Sequence, residues 1–181
     1  MPIGSFAAVP LLVETLLRLQ PRSVLDLGIG FGGNGVAVRE WLDLGVRPWK
    51  TQLTGVECWG EYRNPTWDLY NIVYVQTIEQ YLHDSQEQFS CVLLGDVLEH
   101  FPPDAGSSLL TTAQQHVAPG GLMIVTTPAT FFPQEAVYGN EHERHLSYWS
   151  DTDLRHCGFQ VARVGQPEWC CGESWFATWT R

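Results

Sequence analysis

The stretch Val24-Leu25-Asp26-Leu27-Gly28-Ile29-Gly30-Phe31-Gly32-Gly33-Asn34-Gly35 decides the fold. A short apolar run leads into glycines at 28, 30, 32, 33 and 35, and an apolar helical period resumes after them. This order predicts a buried strand, a tight turn and a helix. Glycines at 28, 30 and 32 let the backbone turn sharply and let a ligand lie against bare main chain. The helix that follows turns its free N–H groups, and the positive end of its dipole, toward the same spot. A Gly-x-Gly pattern alone also fits dinucleotide sites. Asp26, two residues before the first glycine, argues otherwise, because a carboxylate there repels a pyrophosphate and attracts an ammonium group. A tight turn with no ligand would leave five glycines in eight residues unexplained.

Working outward, apolar strands and helical periods alternate. Residues 7–19 carry Val9, Leu12, Val13, Leu16 and Leu17 on a helical period that Pro21 stops. Strands are expected at 23–27, 52–57, 71–76, 89–95 and 122–127, and helices at 35–44, 78–83 and 104–117. Asp104 is a candidate cap for the last of these, and Pro119-Gly120-Gly121 is its expected stop. After a polar and aromatic segment at 128–149, Ser150 caps a helix over 151–157 that Gly158 ends. Strands at 159–164 and 174–180 follow, joined by a turn with Pro167 and Gly172. Strand–helix alternation implies right-handed crossovers and a parallel sheet covered on both faces. The last two strands have no helix between them and should pair antiparallel. The expectation is an α/β, Rossmann-like, doubly wound sheet in one domain spanning 1–181. Ligands in such sheets sit beyond the carboxyl ends of the strands where the order reverses, so the chemistry is sought after Leu27 and after Gly95.

Composition narrows the partners. The 181 residues hold 10 basic and 20 acidic side chains, a net charge of −10, and Lys50 is the single lysine. A broad basic face for nucleic acid or for an anionic membrane cannot be built from this material. No apolar run approaches the roughly 18 residues of a membrane span. The first residues lack the basic region of a signal peptide and are broken by Pro10 and Glu14. Five cysteines, an odd count without paired spacing, do not make a disulfide framework, so a cytoplasmic location is expected. Cys170 and Cys171, in the expected last turn beside Trp169, read as buried or idle thiols.

Glu57 ends the second strand, where a carboxylate can accept bonds from both hydroxyls of a ribose. Alone it would read as a solvated strand-end acid. Its place one strand after the glycine turn gives it weight, although the spacing from Gly28 is 29 residues, beyond the usual 20 or so. The insert at 44–51 absorbs the excess.

Taken together, Val-Leu-Asp-Leu-Gly-x-Gly-x-Gly, the acid at 57, Gly95-Asp96-Val97-Leu98-Glu99-His100-Phe101 and Ala118-Pro119-Gly120-Gly121 resemble the class I S-adenosylmethionine-dependent methyltransferases. The likeness is greatest to their small-molecule branch and covers about residues 21–165. It implies a seven-stranded sheet with the last strand antiparallel, and S-adenosyl-L-methionine as cofactor. It implies that Asp26, Gly28, Gly30 and Gly32 hold the methionine part and that Glu57 holds the ribose. Cys58 and Trp59 would lie near the adenine, with Trp59 able to stack on it, and Gln76, Thr77 and Ile78 would approach its rim. Asp96 and Val97 would lie near the sulfonium. Gln76-Thr77 stands where the family often has an acid for the adenine amino group. The segment 58–70 is short, contains Pro65 and has room for only a turn or two of helix.

The segment 128–149 starts at the carboxyl end of the fifth strand, and long loops in compact domains tend to be functional. With the N-terminal helix it would wall a small, partly apolar acceptor. His142, His145 and His100 are the candidate bases, because imidazole titrates near neutral pH. The alternative is that these rings bond backbone carbonyls and pin the loop. His142 and His145 with Glu141 or Glu143 could hold a metal, but no second ligand pair with tight spacing supports one, so no metal is expected. Two other functions fit the same sheet: a nicotinamide-dependent oxidoreductase, and a degenerate methyltransferase module that binds cofactor or a protein partner. A monomer or homodimer is expected.

Overall fold

The computed structural model describes residues 4–168 and 172–181, so Trp169, Cys170 and Cys171 lie outside the described residues. Seven strands form one sheet in the order β3-β2-β1-β4-β5-β7-β6. They are β1 (Ser23–Leu27), β2 (Gln52–Glu57), β3 (Ile72–Val75), β4 (Phe89–Gly95), β5 (Val117–Pro128), β6 (Gln160–Gly165) and β7 (Glu173–Thr180). The pairs β1–β2, β2–β3, β1–β4 and β4–β5 are parallel, and β7 runs antiparallel to both β5 and β6. The order reverses between β1 and β4, whose ends stand level with Leu27 beside Leu94.

The helices are α1 (Val9–Leu19), α2 (Gly33–Trp41), α3 (Ile78–Asp84), α4 (Pro103–Gln115) and α5 (Asp151–His156). The pleat divides the core by period two. Val24, Leu53, Cys91 and Leu93 pack with Leu12, Leu16 and Val38 on the α1–α2 side. Leu25, Leu27, Val92 and Leu94 pack with Leu109, Leu110 and Leu154 on the α4–α5 side. Burying both faces explains the near-continuous apolar runs of the central strands.

Several boundaries differ from the sequence expectation; among them, helix α4 follows an N-cap at Pro102 and ends at Gln115, so Asp104 lies in its first turn and is not its cap. Helix α2 starts at Gly33 and ends at Trp41, and the chain turns through left-handed Leu44 (φ 53°) and Gly45 (φ 67°). Strand β5 begins at Val117 instead of 122, because Val117 already pairs with Phe89 before a register shift. The Pro-Gly-Gly turn is therefore absorbed into the strand as an irregularity, with Gly120 at φ 75°. Between β2 and β3 the chain makes two 3-10 turns, Gly60–Tyr62 and Pro65–Leu69. The Asn64 side chain caps the second by accepting from the Thr66 N–H at 2.9 Å. Cys58, Cys91 and Cys157 are free thiols. Among the described residues no helix is long and apolar enough to cross a membrane.

Candidate active site

A cavity of about 260 Å³ opens at the carboxyl ends of β1, β2 and β4. The glycine turn after β1 forms one wall. Gly28 has φ 76° and Gly30 φ 51°, a left-handed backbone that side chains rarely adopt. A Cβ on Gly28 would stand 2.5 Å from Cγ2 of Val97, so only glycine lets the turn and the end of β4 approach this closely.

Glu57 enters from the end of β2, buried but lining the cavity. The Gly30 N–H donates to its Oε2 at 2.8 Å, and the Trp59 N–H donates to Oε1 at 2.9 Å. The Cys58 thiol lies 3.5 Å from Oε1, and its pKa is pushed up to about 12 by burial and the Glu57 charge. A carboxylate has about four lone-pair sites. Oε2 accepts one bond and Oε1 two, so the carboxylate can still take a hydroxyl donor from the cavity.

Asp26 is placed differently from the expectation. It is fully buried and does not line the cavity. It shares the Val24 face of β1, where the Tyr70 hydroxyl donates to Oδ2 at 2.6 Å and the Asn34 amide donates to Oδ1 at 3.0 Å. Burial raises its carboxyl to about 6. Asn34, which Asp26 holds, is the residue that reaches the cavity.

Asp96, directly after β4, is held at φ 51°, a conformation that costs energy outside glycine and concentrates at functional sites. Thr126 Oγ1 donates to its Oδ1 at 3.1 Å, and the Ser5 N–H donates to its Oδ2. Ser5 also accepts from Ser174 Oγ at 2.7 Å. The start of the chain thus straps across the cavity, which Gly4, Ser5, Ala8, Val9 and Leu12 line from that side.

Of the other expected residues, Cys58, Thr77, Ile78, Val97, His100 and His142 line the cavity. Gly32, Trp59, Gln76 and His145 do not. Gly32 is the N-cap of α2 with φ 87°, and a Cβ there would meet Thr66 Oγ1 at 2.5 Å, so its role is local. Trp59 packs against the α1–α2 core, turned from the cavity, because its backbone is tied to Glu57. The Gln76 N–H donates to the Glu57 carbonyl at 3.0 Å, extending the β2–β3 pairing.

The histidines divide. His100 Nδ1 bonds the Arg144 carbonyl at 3.1 Å, and His145 Nδ1 bonds the Phe132 carbonyl. Both rings therefore pin the loop, and burial lowers the pKa of both. His142 is exposed, and its backbone N–H donates to Asn140 Oδ1 at 3.0 Å. Among the described residues, the ligand atoms that gather are those of Glu99, His100 and His145, not those of His142 and His145 with Glu141 or Glu143.

Several lining residues have no marker in the sequence as cofactor or acceptor contacts. Glu79, in the first turn of α3, lies two residues past the position where an adenine-binding acid was sought. Thr77 as N-cap starts α3 there, with its hydroxyl accepting from the Gln80 N–H at 3.2 Å, and this brings Glu79 to the rim. Asn140 and Glu143 reach the cavity from the loop after β5. They are held through Tyr62, whose hydroxyl donates to Glu143 Oε1 at 2.9 Å and accepts from the Asn140 amide at 3.1 Å.

Residues 6–162 match a family described as a methyltransferase domain. No curated protein matches the chain. Solved structures share its fold at low identity. The 1,6-didemethyltoxoflavin-N1-methyltransferase of Burkholderia thailandensis, with bound 1,6-didemethyltoxoflavin and S-adenosylhomocysteine, superposes at TM-score 0.69 and 19% identity, over 97% of this chain and 78% of that one. Magnesium protoporphyrin IX methyltransferase from Synechocystis PCC 6803, with bound SAM, gives TM-score 0.62 and 18% identity, over 96% and 78%. An O-methyltransferase family protein from Burkholderia thailandensis gives TM-score 0.64 and 14% identity, and this chain spans 54% of its length. The sheet order, the glycine turn and the match over residues 6–162 agree: the chain belongs to the methyltransferase domain family and has the class I fold of the S-adenosylmethionine-dependent enzymes.

Proposed function

We propose that this chain transfers a methyl group from S-adenosyl-L-methionine to a small, partly apolar acceptor. The observation that carries the reading is one cavity lined by the Gly28–Gly30 turn, the Glu57 carboxylate, the Thr77–Glu79 turn and Asp96. The positive-φ glycines offer bare backbone to the amino-acid tail. Asn34, oriented by Asp26, presents its amide beside them. Glu57 has a lone pair left for a ribose hydroxyl. Glu79 and Cys58 border the adenine end, and Asp96 and Val97 border the sulfur.

When bound, the cofactor supplies an already activated methyl group, so the protein's work is to position the acceptor in line and exclude water. The strap from Gly4 to Leu12 and the loop at 128–149 form the acceptor side. Leu12, Phe101 and Ile124 give it an apolar lining, and Asn140, His142 and Glu143 give it polar groups. Among the described residues no lysine or arginine lines the cavity, which favours an uncharged small molecule over nucleic acid. His142 and His100 face this side and are placed to take a proton from a hydroxyl or amine acceptor. Asp26 and His145 support neighbours and do not line the cavity.

Calorimetric titration with S-adenosylhomocysteine and, separately, with NAD tests the reading. Saturable binding of the first, weakened in Glu57→Gln, is the expected result. Binding of NAD alone would replace it with the oxidoreductase reading. Cofactor binding without methylation of any acceptor in a broad panel, together with a stable protein partner, would replace it with that of a binding module.

A further inference from the structure

Glu99 and His100 belong to the 3-10 turn Leu98–His100 after β4, and His145 belongs to the loop after β5. One ligand atom of each lies within 4.8 Å of those of the other two. The two segments are stapled together by backbone bonds, since the Leu146 and Ser147 N–H groups donate to the Glu99 carbonyl at 2.8 and 3.1 Å. In each imidazole, Nδ1 bonds a backbone carbonyl. A carbonyl oxygen only accepts, so Nδ1 carries the proton and Nε2 keeps its lone pair. This outer bond is the one that metal-ligating imidazoles make to fix tautomer and ring orientation. The rings meet edge to face with centroids 4.9 Å apart. Glu99 is 3% exposed, and the Thr127 hydroxyl donates to its Oε2 at 3.0 Å. Among the described residues no lysine or arginine pairs with it.

The geometry points to a divalent-cation site built from Glu99, His100 and His145, of the two-imidazole, one-carboxylate kind that suits zinc. Tetrahedral ligands at about 2.0–2.2 Å from the ion stand roughly 3.3–3.5 Å apart. A spread of up to 4.8 Å has to close by up to roughly 1.4 Å when the ion binds. Three protein ligands leave a fourth position open, as in catalytic zinc sites. His100 lines the cavity, which puts the site at the edge of the acceptor side. An acceptor hydroxyl bound there would lose its proton more readily, as zinc-bound water does with a pKa near ~7. The acceptor class that follows is one with an ionisable oxygen, and His142 is left as the free base. Binding of the ion stands independently of methyl transfer, whereas its use rests on that reading.

The test uses the full chain, stripped of metal with a chelator and titrated with zinc chloride by calorimetry. Cobalt(II) chloride serves as the spectroscopic probe. The expected result is one zinc per chain and a visible cobalt absorption band. Glu99→Gln and His145→Ala should each weaken zinc binding by at least about tenfold. The first variant keeps the acceptor for Thr127 and the second lies on a half-exposed loop, so both should fold. No zinc binding, or binding unchanged in both variants, overturns the site. S-adenosylhomocysteine is titrated into the same metal-free protein. If it binds and zinc does not, the metal site alone falls; if zinc binds and it does not, the metal site stands and the methyl-transfer reading falls.

Discussion

The Tyr70 hydroxyl donates to Oδ2 of Asp26 at 2.6 Å and accepts from the Gly35 N–H at 3.1 Å. One phenol from the segment between β2 and β3 thereby ties the last turn of β1 to the first turn of α2. The fit is close, since a Cβ on Gly35 would lie 2.5 Å from the Tyr70 ring. The bond directs the Asp26 carboxylate behind the glycine turn instead of into the cavity. Tyr70→Phe keeps the ring and strips a buried carboxylate of its donor. Such a loss costs about 1–3 kcal/mol, and urea unfolding should show it. An unchanged midpoint would mean that Asp26 finds another donor.

Asp26 also makes stability depend on pH. Burial raises its carboxyl from 3.8 to about 6 in the folded protein. A raised carboxyl adds stability in its protonated form, so the contribution is complete below about pH 4 and is lost as pH rises through about 6. The difference corresponds to about 3 kcal/mol. Asp26→Asn removes this titration, and the Asn34 amide can turn to present its oxygen. Relative to wild type, the variant should gain up to about 3 kcal/mol between pH 4 and pH 7. Asp96 and Glu99 are also raised by burial, but they titrate in both proteins and cancel in the difference. A variant-to-wild-type difference that does not change with pH would refute the assignment.

Cofactor affinity should respond to Glu57 and Gly28 in different ways. Glu57→Gln loses charge-assisted bonds of about 1.5–3 kcal/mol, or roughly ten- to hundredfold in Kd for S-adenosylhomocysteine. Gly28→Ala meets both the 2.5 Å contact with Val97 and a backbone at φ 76°. Adding Val97→Ala removes the contact but not the backbone strain, about 1–2 kcal/mol. The double variant should therefore recover part of the lost affinity. Calorimetry on the three proteins reads this order directly.

The Arg39–Asp43 pair in α2 and the residues after it is buried on both sides, with Nη1 donating to Oδ2 at 2.7 Å. Arg39 also donates to the Leu69 and Thr51 carbonyls and to Asn71 Oδ1, which locks α2 to the edge of the sheet. Burial lowers the Arg39 pKa, and Asp43 opposes that shift. Asp43→Ala leaves the guanidinium short of its counter-charge and should destabilise by about 3–5 kcal/mol. A loss below about 1 kcal/mol, the range of exposed pairs, would contradict this.

Much of the site was legible because it follows local rules. Strand ends after Leu27, Glu57 and Gly95 were marked by apolar runs, and the positive-φ turn was marked by glycine, the residue that tolerates it. Asp26 is oriented otherwise than its place before the glycines suggests. The alternation of the pleat put it on the Val24 face, and nothing near it in sequence says that Tyr70 would cover that face. Trp59 failed for a similar reason, since the bond from its N–H to Glu57 turns the residue toward the core. Glu79 and Asn140 carry no such mark, and Glu143 reads in the sequence only as a possible metal ligand, because their positions depend on a helix start and on a loop braced through Tyr62.

The order of elements, the sheet they make and the crevice at its reversal are legible in the chain alone. Those follow from periodicity and turn chemistry, which act over a few residues. Long-range packing sets which carboxylates face the cavity, how Ser5 meets Asp96 from 91 residues away, and that Glu99, His100 and His145 converge. Such encounters are set by the packing of whole elements against each other, and no local period in the chain records them.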